Sequence, residues 1–331
     1  MHTELGGLFM VGLPATELDA STLELIERQG IHNFILFKRN VADPAQVRRL
    51  CRDLAAACRR AGLPAPLVSI DQEGGSVARL KAPHFTEFAD ARNLADCGDA
   101  EGALAGYART CARELLDIGV NMNLAPVLDV CPGGQGLVME RRSLGEDPGR
   151  VARLGSLVIG EMQALGVAAC AKHFPGLGAA ALDPHEVRPV VDRGAEEMEA
   201  CDLRPFRAAI AAGVAAVMTS HTLYPRLDPE QPATLSAPIL TGLLRGKLGY
   251  SGLVVTDDLE MGAIENEGTV ADAALRAFAA GADLLLICQE HDKVRAAHAN
   301  LLAEVEEGRF EHRVRESLRR IAAVRQRFAR G

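Results

Sequence analysis

The 331-residue chain lacks several signatures that would place it quickly. Its eight cysteines, Cys51, Cys58, Cys97, Cys111, Cys131, Cys170, Cys201 and Cys288, form no CxxC pair. Cys170 and Cys288 sit inside apolar runs, where a free thiol behaves as a small hydrophobe. The set reads as reduced and structural, which fits a cytoplasmic protein. No GxGxxG follows the first apolar run, so a dinucleotide-binding fold loses its main support. There is no GxSxG for a serine nucleophile. HExxH and HxxxH are also missing, and Lys172 beside His173 would repel a cation, so neither a metal nor a cofactor is expected. The segment from Thr241 to Lys247 resembles a phosphate-binding loop only superficially, because it lies within a helical pattern.

Positive charge is likewise short. The net charge is −8 and the pI about 5.7, which argues against nucleic acid or an anionic membrane as partner. The Arg-rich stretch from Arg309 to Arg330 spaces its charges around apolar positions and reads as a solvated helix face. The apolar run Gly7–Leu13 is too short to span a bilayer and has no cationic segment before it, so neither a membrane span nor a secretory signal is expected.

What the chain does have is a recurring unit. Apolar residues make up 48% and charged residues 24%, the balance of a globular protein with a large core. Eight strand-like runs appear: Gly7–Leu13, Asn33–Lys38, Pro66–Asp71, Asn121–Val130, Val167–Phe174, Ala215–His221, Gly252–Asp258 and Asp283–Cys288. Helical patterns separate them: Glu17–Gln29, Asp43-Pro44 to about Ala61, Ala100–Ile118, Gly149–Leu165, Ala195–Ala212, Ala237–Leu248 and Val270–Ala280, with two more at the end. The runs are continuously apolar rather than alternating, as strands buried on both faces by βαβ crossovers must be. Eight such units predict a (β/α)8 TIM barrel, one domain over residues 1–331 with an extra C-terminal helix.

A barrel gathers its chemistry at the C-terminal ends of its strands. Asp71, Asp129, Lys172 with His173, His221, and Asp257 with Asp258 all fall there. The stretch KHFPGLGAAALDPH, Lys172 to His185, is too rich in glycine for a helix and carries two imidazoles, an ammonium and a carboxylate, as a loop that performs chemistry would. Asp183 and His185 are two residues apart, close enough for the carboxylate to orient the imidazole and raise its basicity. An imidazole with an ordinary pKa of about 6.5 can give and take a proton at neutral pH. In an extended backbone Asp257 and Asp258 would point to opposite sides, so one of the two is expected to face the barrel mouth. A carboxylate nucleophile with a separate His–Asp proton donor describes a retaining glycosidase in which the pair replaces the usual second carboxylate.

Eight longer motifs carry a resemblance: LGGLFMVGL, FILFKRNV, SIDQEGGSVARL, NLAPVLDV, RRSLGEDP, KHFPGLG with its DPH, SHTLYPRLDPEQPATLS and GLVVTDDLEMGAI. In this order, over nearly the whole chain, they resemble glycoside hydrolase family 3, and within it the single-domain β-N-acetylglucosaminidases of the NagZ type. The resemblance implies Asp257 as nucleophile, His185 as acid/base with Asp183 as its partner, and Asp71, Arg79, Arg142, Lys172 and His173 as sugar-binding residues. Asp258 and His221 are expected to support them. The implied partner is a small carbohydrate, a GlcNAc-containing muropeptide fragment such as GlcNAc-1,6-anhydroMurNAc, handled by a monomer without cofactor. Two positions depart from the pattern. Leu177 stands where the family usually has a second histidine, and Pro184 replaces the serine of DSH, biasing Asp183 towards an extended backbone. A glycoside phosphorylase and a sugar-binding homologue with weakened turnover are the alternatives.

Overall fold

The structure, a computed structural model, describes residues 2–134, 136–180, 189–266 and 268–329. All eight expected strand runs are present, each shorter than its apolar run: β1 Phe9–Gly12, β2 Asn33–Leu36, β3 Leu67–Ile70, β4 Met122–Asn123, β5 Ala168–Phe174, β6 Ala216–Thr219, β7 Leu253–Val255 and β8 Leu285–Ile287. They pair in parallel in the order β8-β1-β2-β3-β4-β5-β6-β7. A bridge between Val255 and Leu284 joins the two ends, with the Thr256 N–H donating to the Leu284 carbonyl at 3.0 Å, so the sheet closes into a (β/α)8 barrel. Every strand residue is buried, which is why the runs show no alternation. Between β1 and β8, a side chain on Gly12 would place its Cβ 2.0 Å from the Cys288 carbonyl oxygen, so only glycine fits there.

The crossover helices begin where the sequence supplies caps. Asp43, Asp99 and Asp147 accept the N–H of Gln46 (2.8 Å), Gly102 (3.0 Å) and Arg150 (2.6 Å), and Pro44 and Pro148 open their helices. Each such cap stabilises its helix by about 1 kcal/mol. Under the barrel, the buried Asp283 carboxylate accepts from Arg245 (2.5 Å), Arg313 (2.9 Å), Arg320 (3.1 Å), Ser317 (2.8 Å) and the Val254 N–H (2.9 Å). Three of these donors lie on the terminal helix Glu311–Phe328, which this carboxylate ties across the N-terminal end of the strands. The expectation of a merely solvated Arg-rich face is corrected for Arg313 and Arg320.

Three further expectations change. The helix expected from Glu17 begins at Ala20, because Asp19 turns back to accept the Ser21 N–H at 3.0 Å and the Thr22 N–H at 3.3 Å. Ala195–Ala212 is two helices, Ala195–Ala200 and Leu203–Ala211, broken where Asp202 turns inward to Arg193. Asn121–Val130 is a strand only at Met122–Asn123; the chain rejoins the sheet at Val127, which bridges Lys172. A hairpin, Leu223–Tyr224 with Asp228–Pro232, and a helix, Ala91–Asp96, were not expected. Among the described residues no helix is long and apolar enough to cross a membrane, and all eight cysteines are free.

Candidate active site

At the C-terminal ends of the strands lies a cavity of about 330 Å³. Asp71, Arg79, Arg142, Lys172, His173 and Asp257 all line it, so six residues singled out from sequence converge from four separate stretches of chain. Asp183, Pro184 and His185 lie outside the described residues.

The cavity floor is an ionic grid. Lys172 extends from β5 and places its Nζ 2.8 Å from Asp71 Oδ1 and 2.7 Å from Glu73 Oε1. Arg142 grips the same Glu73 with both arms, Nε to Oε2 and Nη2 to Oε1, each at 2.8 Å. Arg79 Nη2 donates to Asp71 Oδ2 at 3.1 Å. Burial alone would push the Glu73 carboxyl up, but Arg142 and then Lys172 overcome it and hold the group well below the ordinary carboxylate range. The same contest, settled by Lys172 and Arg79, lowers Asp71. Burial would lower the Lys172 ammonium, yet Asp71 and Glu73 raise it. All of these groups are therefore charged at neutral pH, and their side chains are fixed before any ligand arrives.

Glu73 was missed by the sequence reading although it lies in the quoted DQEGG segment, two residues after Asp71. Its signal was an acid followed at once by a Gly-Gly turn, with no indication of which cation it would meet. Gln72, between the two acids, sets the geometry of the loop. Its side-chain oxygen accepts the N–H of Arg79 (2.9 Å) and of Leu80 (3.0 Å), which folds Arg79 back over the strand end.

His173 is oriented by Asp129, which accepts its Nδ1–H at 2.7 Å. The same carboxylate accepts the Leu177 N–H at 2.8 Å, pinning the start of the following loop. Gly178 then packs so closely that a Cβ would lie 2.2 Å from the Val130 carbonyl oxygen. The far side of the loop is held at Val191, whose N–H donates to the Leu223 carbonyl at 3.0 Å. Leu177 itself is buried and lines the cavity with Met139, Met218 and Met261, apolar side chains at the position that departs from the resemblance.

Asp257 and Asp258 both line the cavity, which corrects the expectation that only one would face the mouth. The alternation argument fails because β7 ends at Val255, and beyond it the Asp258 N–H turns to donate to Asp257 Oδ1 at 2.9 Å. Burial, with the Glu260 and Asp257 carboxylates adding to it, pushes the Asp258 carboxyl up to about 7. His221 supports this segment from the side, with Nε2 2.8 Å from the Asp258 carbonyl and Nδ1 2.8 Å from Thr234 Oγ1. Glu260 anchors it from below: its carboxylate accepts the N–H groups of Cys288 (2.8 Å), Gln289 (2.5 Å) and Glu290 (3.0 Å) at the end of β8.

Three carboxyl groups, Asp71, Glu73 and Asp257, share the cavity with three cations, Arg79, Arg142 and Lys172. Such a cavity presents many fixed donors and acceptors of both signs, the requirement for a polyhydroxylated ligand. Among the described residues no three His, Cys, Asp or Glu side chains cluster as metal ligands would. The fold and this cavity fit a barrel protein with a polar ligand seated at the strand ends.

The comparisons with known proteins narrow the class. Residues 1–324 match the family described as "Glycosyl hydrolase family 3 N terminal domain". A Pseudomonas aeruginosa protein named Beta-hexosaminidase is 37% identical over 295 residues, spanning 89% of this chain and 86% of that protein. Among solved structures, a family 3 β-N-acetylglucosaminidase from Paenibacillus sp. superposes with a TM-score of 0.94 at 40% identity; the match covers 99% of this chain and 62% of that one. A β-N-acetylhexosaminidase from Beutenbergia cavernae gives 0.91 at 32% identity, with 98% of both chains covered. The chain belongs to glycoside hydrolase family 3.

Proposed function

We propose that the protein is a retaining exo-β-N-acetylglucosaminidase that removes a terminal β-linked GlcNAc. The observation that carries this reading is the cavity of about 330 Å³ at the strand ends, with Asp257 in its wall beside the grid of Asp71, Glu73, Arg142 and Lys172. The names of its relatives, β-hexosaminidase and β-N-acetylglucosaminidase, support the same substrate class. In this reading Asp71, Arg79, Arg142, Lys172 and His173 hold the hydroxyls and N-acetyl group of one sugar ring. Their positions are fixed in advance, so little ordering entropy is lost when the sugar binds.

Asp257 attacks the anomeric carbon and forms a covalent glycosyl-enzyme as the aglycone leaves. His185, oriented by Asp183, protonates the leaving oxygen and then activates the water that releases the sugar. The Asp257 carboxylate also serves the transition state, because a fixed negative charge in a partly dry site stabilises a developing oxocarbenium ion more than water would. We place the natural substrate among GlcNAc-1,6-anhydroMurNAc fragments, free or peptide-bearing, recycled from cell wall in the cytoplasm by a monomeric, cofactor-free enzyme of one domain.

The test is turnover of 4-nitrophenyl β-N-acetylglucosaminide, followed by trapping with a 5-fluoro glycosyl fluoride and peptide mass spectrometry. The expected adduct is on Asp257. Asp257→Ala should lose turnover, while His185→Ala should lose less with an activated leaving group than with an alkyl one. An adduct on another residue would remove the assignment. Turnover that needs added phosphate and yields a sugar 1-phosphate would make the protein a phosphorylase.

A further inference from the structure

The residues that follow β6, Ser220 to Tyr224, are bonded to both halves of the proposed catalytic machinery. The Ser220 N–H donates to the carbonyl of Phe174, the last residue of β5, at 2.9 Å. Two residues further along that chain, the Gly176 carbonyl accepts the Tyr224 hydroxyl at 2.9 Å. Where the chain returns, the Leu223 N–H donates to the Pro189 carbonyl (2.9 Å) and the Leu223 carbonyl accepts the Val191 N–H (3.0 Å). Between these anchors His221 reaches elsewhere, its Nε2–H donating to the Asp258 carbonyl at 2.8 Å. One short stretch thus holds the nucleophile's segment and the two described ends of the segment that carries Asp183 and His185.

Ser220, His221, Thr222 and Tyr224 are each 1% exposed or less. Polar groups buried in this way destabilise a fold unless they are hydrogen-bonded, and a turn that only ended β6 would not need them. The stretch is also fixed from behind by the hairpin. Ala233 donates its N–H to the Thr222 carbonyl and Thr234 to the Ser220 carbonyl, each at 3.0 Å, while Asp228 accepts the Ser236 hydroxyl at 2.7 Å. We propose that Ser220–Tyr224 is a gauge that sets the distance between nucleophile and proton donor, with Tyr224 the positioning residue for the donor and His221 that for the nucleophile. This rests on the reading that Asp257 attacks and His185 protonates. The carboxylate must meet the anomeric carbon while the acid meets the leaving oxygen, and a displacement of about 1 Å costs about a hundredfold in rate. Neither Tyr224 nor His221 is among the residues lining the cavity, so the sugar ring is bound by other groups.

The experiment measures kcat/KM, which reads the glycosylation step, on 2,4-dinitrophenyl and phenyl β-N-acetylglucosaminides. Inhibition by free GlcNAc reads the sugar site separately. The enzymes are the wild type, Tyr224→Phe, His221→Gln and His185→Ala. Dinitrophenoxide departs without a proton, whereas phenoxide needs one. Tyr224→Phe keeps the ring and removes only the hydroxyl, so it should lose about tenfold on the phenyl substrate and less than twofold on the dinitrophenyl one. His221→Gln should lose about tenfold on both, because it disturbs the nucleophile. GlcNAc inhibition should stay within about twofold of wild type in each. Equal losses on the two leaving groups in Tyr224→Phe, or none on either, would overturn the proposal. So would GlcNAc inhibition that weakens in step with the rate, the mark of a general structural role. If Tyr224→Phe fails to fold, His221→Gln decides: a loss confined to the phenyl substrate, or no loss, overturns the gauge. Equal losses in His185→Ala would strike instead at the reading of His185 as proton donor.

Discussion

Glu73 sits where Lys172 and Arg142 would otherwise face each other across a buried floor. Its side chain is 4% exposed, so the cations it joins have little water to replace it. Removing one partner of a buried ion network costs about 3 kcal/mol or more, because the remaining charges stay behind uncompensated. Glu73→Gln is therefore expected to lower stability by about that amount in urea unfolding. It should also cut kcat/KM on an aryl GlcNAc substrate by about 100-fold, since Lys172 and Arg142 lose their common anchor. A variant of wild-type stability and rate would mean that the two cations are positioned by something else. At this scale the sequence was half legible. Asp71, Arg79, Arg142, Lys172, His173 and Asp257 were recognised and meet in one cavity, whereas Glu73 and the His173–Asp129 pair depend on contacts between residues up to 99 positions apart.

At the scale of elements, the loops after β7 and β8 act as one piece. In (β/α)8 barrels the backbone N–H groups at this corner often bind a phosphate. Here the Glu260 carboxylate occupies the N–H groups of Cys288, Gln289 and Glu290, just ahead of the helix His291–Glu306. Its side chain is 3% exposed, and its own N–H donates to Asp258 Oδ1 at 3.1 Å, which links this anchor to the segment bearing Asp257. Glu260→Ala is expected to lower kcat about tenfold with KM changed less than twofold, because it loosens the nucleophile's segment while leaving the sugar grid in place. Glu260→Gln, which keeps the shape and one acceptor, should fall between. Equal losses in kcat and KM would point to general unfolding of the corner instead. The strand runs were legible because burial on both faces leaves an unmistakable apolar stretch. The break at Asp202 was not, since its cause, Arg193 and the close approach of Gly176, lies outside the helix itself.

For the molecule as a whole, four carboxyls divide into two pairs with opposite pH behaviour. Asp71 and Glu73 are lowered, so their stabilisation is present above about pH 4, the unfolded carboxyl value, and is lost as pH falls towards their folded values. Asp258, raised by burial to about 7, and Asp202, raised by burial against the pull of Arg193 to about 6, behave in the reverse sense. Their contribution is complete below about pH 4 and is lost as pH rises through 6 and 7, at up to about 1.4 kcal/mol per pH unit for each group. Thermal stability should therefore peak in mild acid, at about pH 4 to 5, and decline as the pH rises to about 7. Asp258→Asn should flatten that decline. A melting temperature that climbs steadily from pH 5 to pH 8 would show that these two carboxyls ionise without penalty.

The sequence by itself determined the number and order of the barrel units, because a strand buried on both faces must be apolar throughout and a capped helix announces its start. It also marked the polar residues at the strand ends, since a barrel closed at its core can place chemistry only there. The tertiary structure alone decided which of those residues touch. Parallel strands bring together residues scores of positions apart, and the pairings of Lys172 with Glu73, Glu260 with the β8 corner and Arg39 with Gln289 exist only once the sheet has closed. Periodicity records which face of an element is buried and carries no information about what lies across a cavity.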